Sequence, residues 1–229
     1  MYWQDDDADQ AVAIPDDIID VQFAIDAKRL PVDHGCALGA AVAAALPWDD
    51  GQVALGVHTI HVAGSQNGWQ RPEHGQDQFL MLSRRTKLTI RVPRAHAEAL
   101  KAALAGRVLD VAGCPLTVGA AKERALSRET TLFARYVVDP HDQDEARFLE
   151  WAAAELRAMD IRLRKALCGK ALPLATPDGP LPTRSLLLAN LDIEDAVRLQ
   201  RLGLGPRRAI GCGLFIPHKG IDAVQSTPR

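Results

Sequence analysis

Residues 82–118 read LSRRTKLTIRVPRAHAEALKAALAGRVLDVAGCPLTV, and the spacing of apolar residues changes twice along that stretch. Leu88, Ile90 and Val92 share one parity, while Arg85, Lys87, Thr89 and Arg91 share the other. That period of two is the signature of a strand with one buried face. Pro93 stops the strand. From Arg94 to Leu104 the spacing becomes helical, with Ala97, Leu100 and Leu104 on one face. Arg107 to Val111 and Leu116 to Val118 then read as a hairpin around Ala112-Gly113-Cys114-Pro115.

Toward the N-terminus, Ile19, Val21, Phe23 and Ile25 alternate with Asp20, Gln22, Ala24 and Asp26, another strand. Pro31 breaks the chain. Asp33 to Leu46 is rich in small apolar residues, with Leu38, Ala41, Val42 and Ala45 at helical spacing and Asp33 as the expected N-cap. Pro47 and the following Asp-Asp-Gly end that helix. Gln52 to Val62 is strand-like, and a loop rich in Gly, Gln and His runs from Ala63 to about Gln76. The order strand, helix, strand, strand, helix, strand is the ferredoxin-like split βαβ arrangement.

Toward the C-terminus the same order returns. Thr131 to Val138 is a strand and Asp142 to Met159 an amphipathic helix with Leu149, Ala152, Ala153 and Leu156 aligned. Ile161 to Cys168 is a basic strand, Leu172 to Pro182 a loop, and Arg184 to Leu188 a buried strand. Asp192 to Leu202 is a helix capped by Asp192, and Ile210 to Ile216 is a last apolar strand. The sequence therefore predicts an α+β fold of two tandem ferredoxin-like (βαββαβ) domains with antiparallel sheets. An acidic arm occupies residues 1–17, the first domain 18–126, the second 127–220 with a glycine-rich loop, and a tail 221–229. The two join near Lys122–Arg128. Two open sheets, each covered on one face by helices, leave their other faces to form a central cleft.

Of the 229 residues, 47% are hydrophobic and 24% charged, which excludes wholesale disorder. No apolar run is long enough to span a membrane, and the acidic N-terminus lacks the apolar core of a secretory signal, so a cytoplasmic protein is expected. The formal charge of −2 argues against a nucleic-acid partner only in bulk. Asp5, Asp6, Asp7, Asp9, Asp16, Asp17 and Asp20 fall in the first twenty residues, which contain no Lys or Arg. The rest has 22 acids against 27 bases, a charge of +5. The arm is either a solvated segment or one that screens a basic groove. Cys36, Cys114, Cys168 and Cys212 are scattered without zinc-ligand spacing, so reduced thiols and no metal are expected. No Walker loop, H-E-x-x-H or G-x-S-x-G appears.

Three constellations carry chemistry. Arg85, Lys87 and Arg91 form a stripe with steps of about 7 Å, comparable to the phosphate repeat of a nucleic acid. Arg84 adjoins it, and the second half mirrors it with Arg162 and Arg164 on one face and Lys165 and Lys170 close by. The run GLGPRRAIGCGLFIPHKG, residues 203–220, sets Gly203, Gly205, Gly211 and Gly213 around Arg207 and Arg208 and ends in Pro217-His218-Lys219. Consecutive amides in such a loop can cradle an anion. Among the histidines, His58 and His61 sit at a strand end before a loop. Three apart on an extended chain, they point to opposite faces, which disfavours zinc. A neutral His beside a basic groove suits proton transfer near pH 7. His34, at a helix N-terminus, suits capping or packing.

The element order, LPVDH, GVHTIH, LSRRTKLTIRVP and above all LQRLGLGPRRAIGCGLFIPHKG resemble the CRISPR-associated endoribonucleases that process precursor CRISPR RNA, within the repeat-associated protein superfamily and its type I-MYXAN branch. The resemblance spans about Ile19 to Gly220. It implies binding of the CRISPR repeat hairpin and cleavage at its 3′ base with no cofactor. The 2′-hydroxyl attacks, leaving a 2′,3′-cyclic phosphate and a 5′-hydroxyl. It also implies a catalytic histidine after the first helix, where His58 matches best, His61 next and His34 third. The only tyrosines are Tyr2 and Tyr136, so a His–Tyr–Lys trio cannot come from the first half, and Lys87 or Arg85 would stabilise the pentavalent phosphate. The implied RNA contacts are Arg84, Arg85, Arg91, Arg162, Arg164, Lys165, Lys170, Gly205, Arg207, Arg208, Gly211, Gly213, His218 and Lys219. The partners the resemblance implies are repeat RNA and other subunits of a type I effector complex. A non-catalytic RNA-binding subunit of such a complex would use the same residues, and a metabolite-binding regulatory domain is a third reading.

Overall fold

Strand β1 (Ile18–Asp26) follows its alternation closely: Ile19, Val21 and Phe23 are fully buried and Ile25 nearly so, while Asp20 and Gln22 face the other way. In this computed structural model, which describes residues 15–48, 53–62, 78–142 and 144–218, β1 is the central strand of the first sheet. Then come β2 (Arg29–Pro31), helix α1 (Gly35–Ala45), β3 (Gly56–Val57), β4 (Phe79–Met81), β5 (Lys87–Pro93), helix α2 (Ala97–Leu104), β6 (Val108–Val111) and β7 (Cys114–Arg124). The sheet order is β3-β5-β1-β7-β6, with antiparallel pairing throughout, and β2 pairs separately with β4. Leu38 and Val42 of α1 and Leu100 and Leu104 of α2 close one face over Phe23, Leu88 and Ile90. The other face carries Asp20, Gln22, Lys87, Thr89 and Arg91.

The second half repeats the plan: β8 (Leu132–Val138), α3 (Glu145–Ala158), β9 (Lys165–Ala171), the hairpin β10 (Leu174–Thr176) and β11 (Gly179–Leu181), β12 (Thr183–Ala189), α4 (Ile193–Leu202) and β13 (Ile216–Pro217). Its sheet runs β13-β8-β12-β9. Phe148, Ala152 and Leu156 of α3 and Ala196 and Leu199 of α4 pack on Leu132, Ala134, Leu186 and Leu188. Both sheets thus have the strand order of tandem ferredoxin-like folds. Among the described residues no helix is long and apolar enough to cross a membrane. All four cysteines are free thiols.

Local chemistry explains where the elements depart from expectation. Asp33 does not cap α1; the cap position is His34, with no side-chain hydrogen bond. Asp33 instead accepts from the Ala175 N–H at 2.7 Å, fastening the β10–β11 hairpin of the second half to the first. That hairpin lies within the expected loop Leu172–Pro182. Strand β5 begins only at Lys87, because residues 83–86 form a turn closed by the Thr86 N–H on the Ser83 carbonyl. Among the described residues between Gln52 and Val62, only Gly56–Val57 is strand. The basic strand starts at Lys165 rather than Ile161, because the Asp195 carboxylate takes the Arg162 N–H at 3.0 Å. The expected strand Ile210–Ile216 shrinks to β13: Arg208–Ile210 is a 3-10 turn, and Gly211 and Gly213 have φ of +94° and +66°, which a strand does not accommodate. The helix expected from Asp142 starts at Glu145, capped by Asp144, whose carboxylate accepts from the Arg147 N–H. The loop Ala63–Gln76 lies outside the described residues.

Candidate active site

The free faces of the two sheets meet around a cavity of about 430 Å³. From the first half Asp20, His58, Thr59 and His61 line it, and from the second Phe133 and Arg135. His58 follows β3, with its backbone N–H on the Thr89 carbonyl at 3.0 Å. Its side chain is 12% exposed, and its Nε2 stands 3.8 Å from Asp20 Oδ1. At that distance the pair is electrostatic rather than a formed hydrogen bond, and Nε2 has no hydrogen-bond partner among the described residues.

Asp20 is held from its other side. The Arg91 guanidinium, 1% exposed, donates Nε to Oδ1 at 2.7 Å and Nη2 to Oδ2 at 2.9 Å. Its Nη1 donates to the carbonyls of Gln200 (2.8 Å) and Phe215 (3.1 Å), both in the second half. Burial alone would raise the Asp20 carboxyl; His58 and Arg91 outweigh it and hold it well below its ordinary value of 3.8. Burial lowers the His58 imidazole below 6.5; Asp20 partly restores it, and the Arg91 charge lowers it further. The ring is therefore neutral at pH 7, as a general base must be.

His61 is engaged across the cleft. Arg135 Nε donates to His61 Nε2 at 2.9 Å, and Thr59 Oγ1 lies 2.9 Å from the same nitrogen. Because a guanidinium only donates, Nε2 is the acceptor, the Thr59 hydroxyl also donates to it, and the neutral ring keeps its proton on Nδ1. His34 is only 2% exposed. Its Nδ1 donates to the Pro31 carbonyl at 2.8 Å and its Nε2 accepts from the Ile60 N–H at 2.9 Å, so both ring nitrogens are used to position the segment that carries His58 and His61.

The other predicted residues separate into groups. Lys87 is exposed on the cleft face of β5, two residues from Thr89, and Arg84 and Arg85 are exposed in the turn before it. Arg91 does not join that stripe at the surface; it is buried and its guanidinium bonds to Asp20 and to carbonyls inside the fold, because α4 and the segment before β13 cover it. Arg162 and Arg164 are exposed but precede β9, and Arg164 pairs with Asp192 at 2.8 Å. Lys165 and Lys170 are exposed on β9. The glycine run is not an open anion cradle. The amides of Ile210, Gly211, Cys212 and Gly213 donate to carbonyls of Arg207, Arg208, Arg207 and Tyr136. Gly211 and Gly213 are buried and serve close packing: a Cβ on Gly211 would stand 2.6 Å from Thr59 Cγ2. Gly205 and Arg207 are exposed, and Arg208 is half-buried with Nη1 on the Leu202 carbonyl. His218 packs 5.8 Å from the Phe133 ring, and Lys219 lies outside the described residues.

Asp20, Thr59, Arg135 and Arg124, whose Nε donates to Gln22 Oε1 at 3.2 Å, carry no motif that sequence reasoning could single out. The alternation of Thr131–Val138 places Phe133 and Arg135 on one parity, which is the only local signal for Arg135. Among the described residues no group of three or more His, Cys, Asp or Glu could hold a metal ion.

Known proteins share both the sequence and the fold. The sequence pattern of the family described as "Cas6 Crispr" matches residues 19–220. The CRISPR-associated endonuclease Cas6 of Myxococcus xanthus is 29% identical over 208 residues, which cover 91% of this chain and 85% of that protein. Among solved structures, a CRISPR associated protein Cas6 superposes with a TM-score of 0.64 at 11% identity, covering 88% of this chain and all of that one (100%). A Cas6-related protein from Pyrococcus furiosus superposes with a TM-score of 0.58 at 14% identity, covering 86% and 97%. At these identities the two structures speak to the fold.

Proposed function

This chain belongs to the Cas6 CRISPR family, and from that premise we propose that it is a metal-independent endoribonuclease that binds CRISPR repeat RNA and cleaves precursor CRISPR RNA. The observation that carries the reading is the convergence of His58, His61 and Arg135 on one cavity between the sheets. In the proposed step, neutral His58 takes the proton of the 2′-hydroxyl preceding the scissile phosphate. The O2′–P bond forms, the P–O5′ bond breaks, and the departing O5′ takes a proton from solvent water, while the His61 Nδ1–H donates a hydrogen bond at the reacting phosphate. The products are a 2′,3′-cyclic phosphate and a 5′-hydroxyl. Arg135 faces the developing negative charge on the phosphate. Lys87, outside the cavity lining, serves the RNA backbone rather than the reacting phosphate.

The test is incubation of the pure protein with a labelled repeat transcript in EDTA. Cleavage to a cyclic-phosphate product is expected, with His58→Ala slowing it by about 10²–10⁴-fold while leaving RNA binding nearly unchanged. An unchanged rate moves the base to His61. The shallow exposure of His58 favours one alternative, a non-catalytic RNA-binding subunit of an effector complex. Retention of RNA with no cyclic-phosphate product would establish it.

A further inference from the structure

We propose that the cleft holds a single-stranded RNA segment with its bases against the second sheet and its phosphates toward the first; this rests on the RNA-directed reading above. The free face of the second sheet carries one apolar residue from each of its four strands in a single row. Ile216 stands opposite Phe133, Phe133 opposite Leu187, and Leu187 opposite Leu167. Chain neighbours of the inner pair, such as Ala134 and Leu186, are fully buried in the core, so the row points the other way. Ile216 is 39% and Leu167 47% exposed, among the few large apolar side chains left open. With strands about 4.8 Å apart, the row is about 14 Å long.

The row continues into the cavity, where Phe133 and Ile216 are part of the lining. The Arg135 guanidinium lies 5.8 Å from the Phe133 ring centre, and the His218 ring lies at the same distance. The wall across the cavity is chemically opposite. Gln22, Thr89 and Arg124 line it. By strand parity Lys87 and Lys122, both exposed, extend it, Lys87 lying on the strand of Thr89 and Lys122 opposite Gln22.

A single RNA strand has two such sides, an anionic backbone and apolar base faces. A duplex stacks its bases inside and presents phosphate outward, which would leave the apolar row unmet. A protein partner would need acids for one wall and apolar groups for the other. Four-stranded sheets with a central aromatic ring stack two or three bases in this manner, and each stacked base contributes substantially to affinity.

The probe is a fluorescein-labelled oligouridine of about ten nucleotides, which forms no hairpin. Phe133→Ala should weaken binding about tenfold and Phe133→Trp should preserve it, while Leu167→Ser, at the exposed end of the row, should weaken it about threefold. Lys87→Ala combined with Lys122→Ala should lower the slope of log affinity against log salt by about one for each lysine removed. Duplex RNA of equal length should compete at least tenfold less well. Binding indifferent to both Phe133→Ala and Leu167→Ser, or duplex competing equally, overturns the proposal. Cleavage of repeat RNA separates the two readings. If cleavage is intact but oligouridine binding is indifferent, the platform alone fails. If oligouridine binding responds as described but nothing is cut, the endonuclease reading fails.

Discussion

His58 sits where burial and a single carboxylate pull its titration in opposite directions. Burial wins, and the imidazole pKa lies below 6.5. A general base works unprotonated, so its activity falls as pH drops through that pKa. The acid limb of kcat/KM should therefore lie below pH 6.5. Asp20 favours the imidazolium, so Asp20→Asn should move the limb to still lower pH. Single-turnover cleavage from about pH 4 to 8 measures both, and a limb that rises in Asp20→Asn would separate His58 from the chemistry. The Asp20 carboxyl does not titrate in that window. Its folded pKa is depressed from 3.8, so its contribution to stability is present above 3.8 and is lost only as pH falls through the lower folded value.

At the scale of elements, the glycine-rich segment works by letting chains approach. Gly213 has φ +66°, and a Cβ there would meet the Leu204 carbonyl oxygen. Gly213→Ala should cost about 1–3 kcal/mol in urea unfolding. Gly205→Ala, at φ +74° but with only the Trp151 ring nearby, should cost less. Equal costs would mean that conformation alone, not packing, requires these glycines. The strands and helices are legible in the sequence because alternation and helical spacing are local: Ile19 to Ile25 and Ala97 to Leu104 adopt the structure their spacing predicts. The histidines of GVHTIH are legible for the same reason. What covers a face is not local. Arg91 has the parity of a surface cation, and only the docking of α4 and of the segment before β13 reveals that it is buried. Arg135 is invisible as a partner of His61 because the pair is 74 residues apart. The glycine run suggests an anion cradle, yet its amides turn inward onto carbonyls, since composition does not say which way amides point.

At the scale of the molecule, Arg91 joins the halves. Arg91→Met leaves the half-buried Asp20 carboxylate without its counter-charge, and since removing one partner of a fully buried pair costs about 3–5 kcal/mol, the loss here should fall at or below about 3 kcal/mol. Urea unfolding should show that loss, and Arg91→Met together with Asp20→Asn should lose less than Arg91→Met alone. The acidic N-terminal segment also meets the body at its described end: Asp17 pairs with Arg201 at 2.5 Å and Asp16 with Arg94 at 3.4 Å. These exposed pairs contribute little stability, and they neutralise two bases of the body that lie outside the cavity lining.

The acceptors that Arg91 uses in the second half are main-chain oxygens, those of residues 200 and 215. A carbonyl is there whatever side chain the position carries. The joint is therefore indifferent to sequence drift on that side, whereas positions 20 and 91 can change only as a pair. One half of the protein is thereby free to diversify its cleft-facing surface without renegotiating how it is attached to the other.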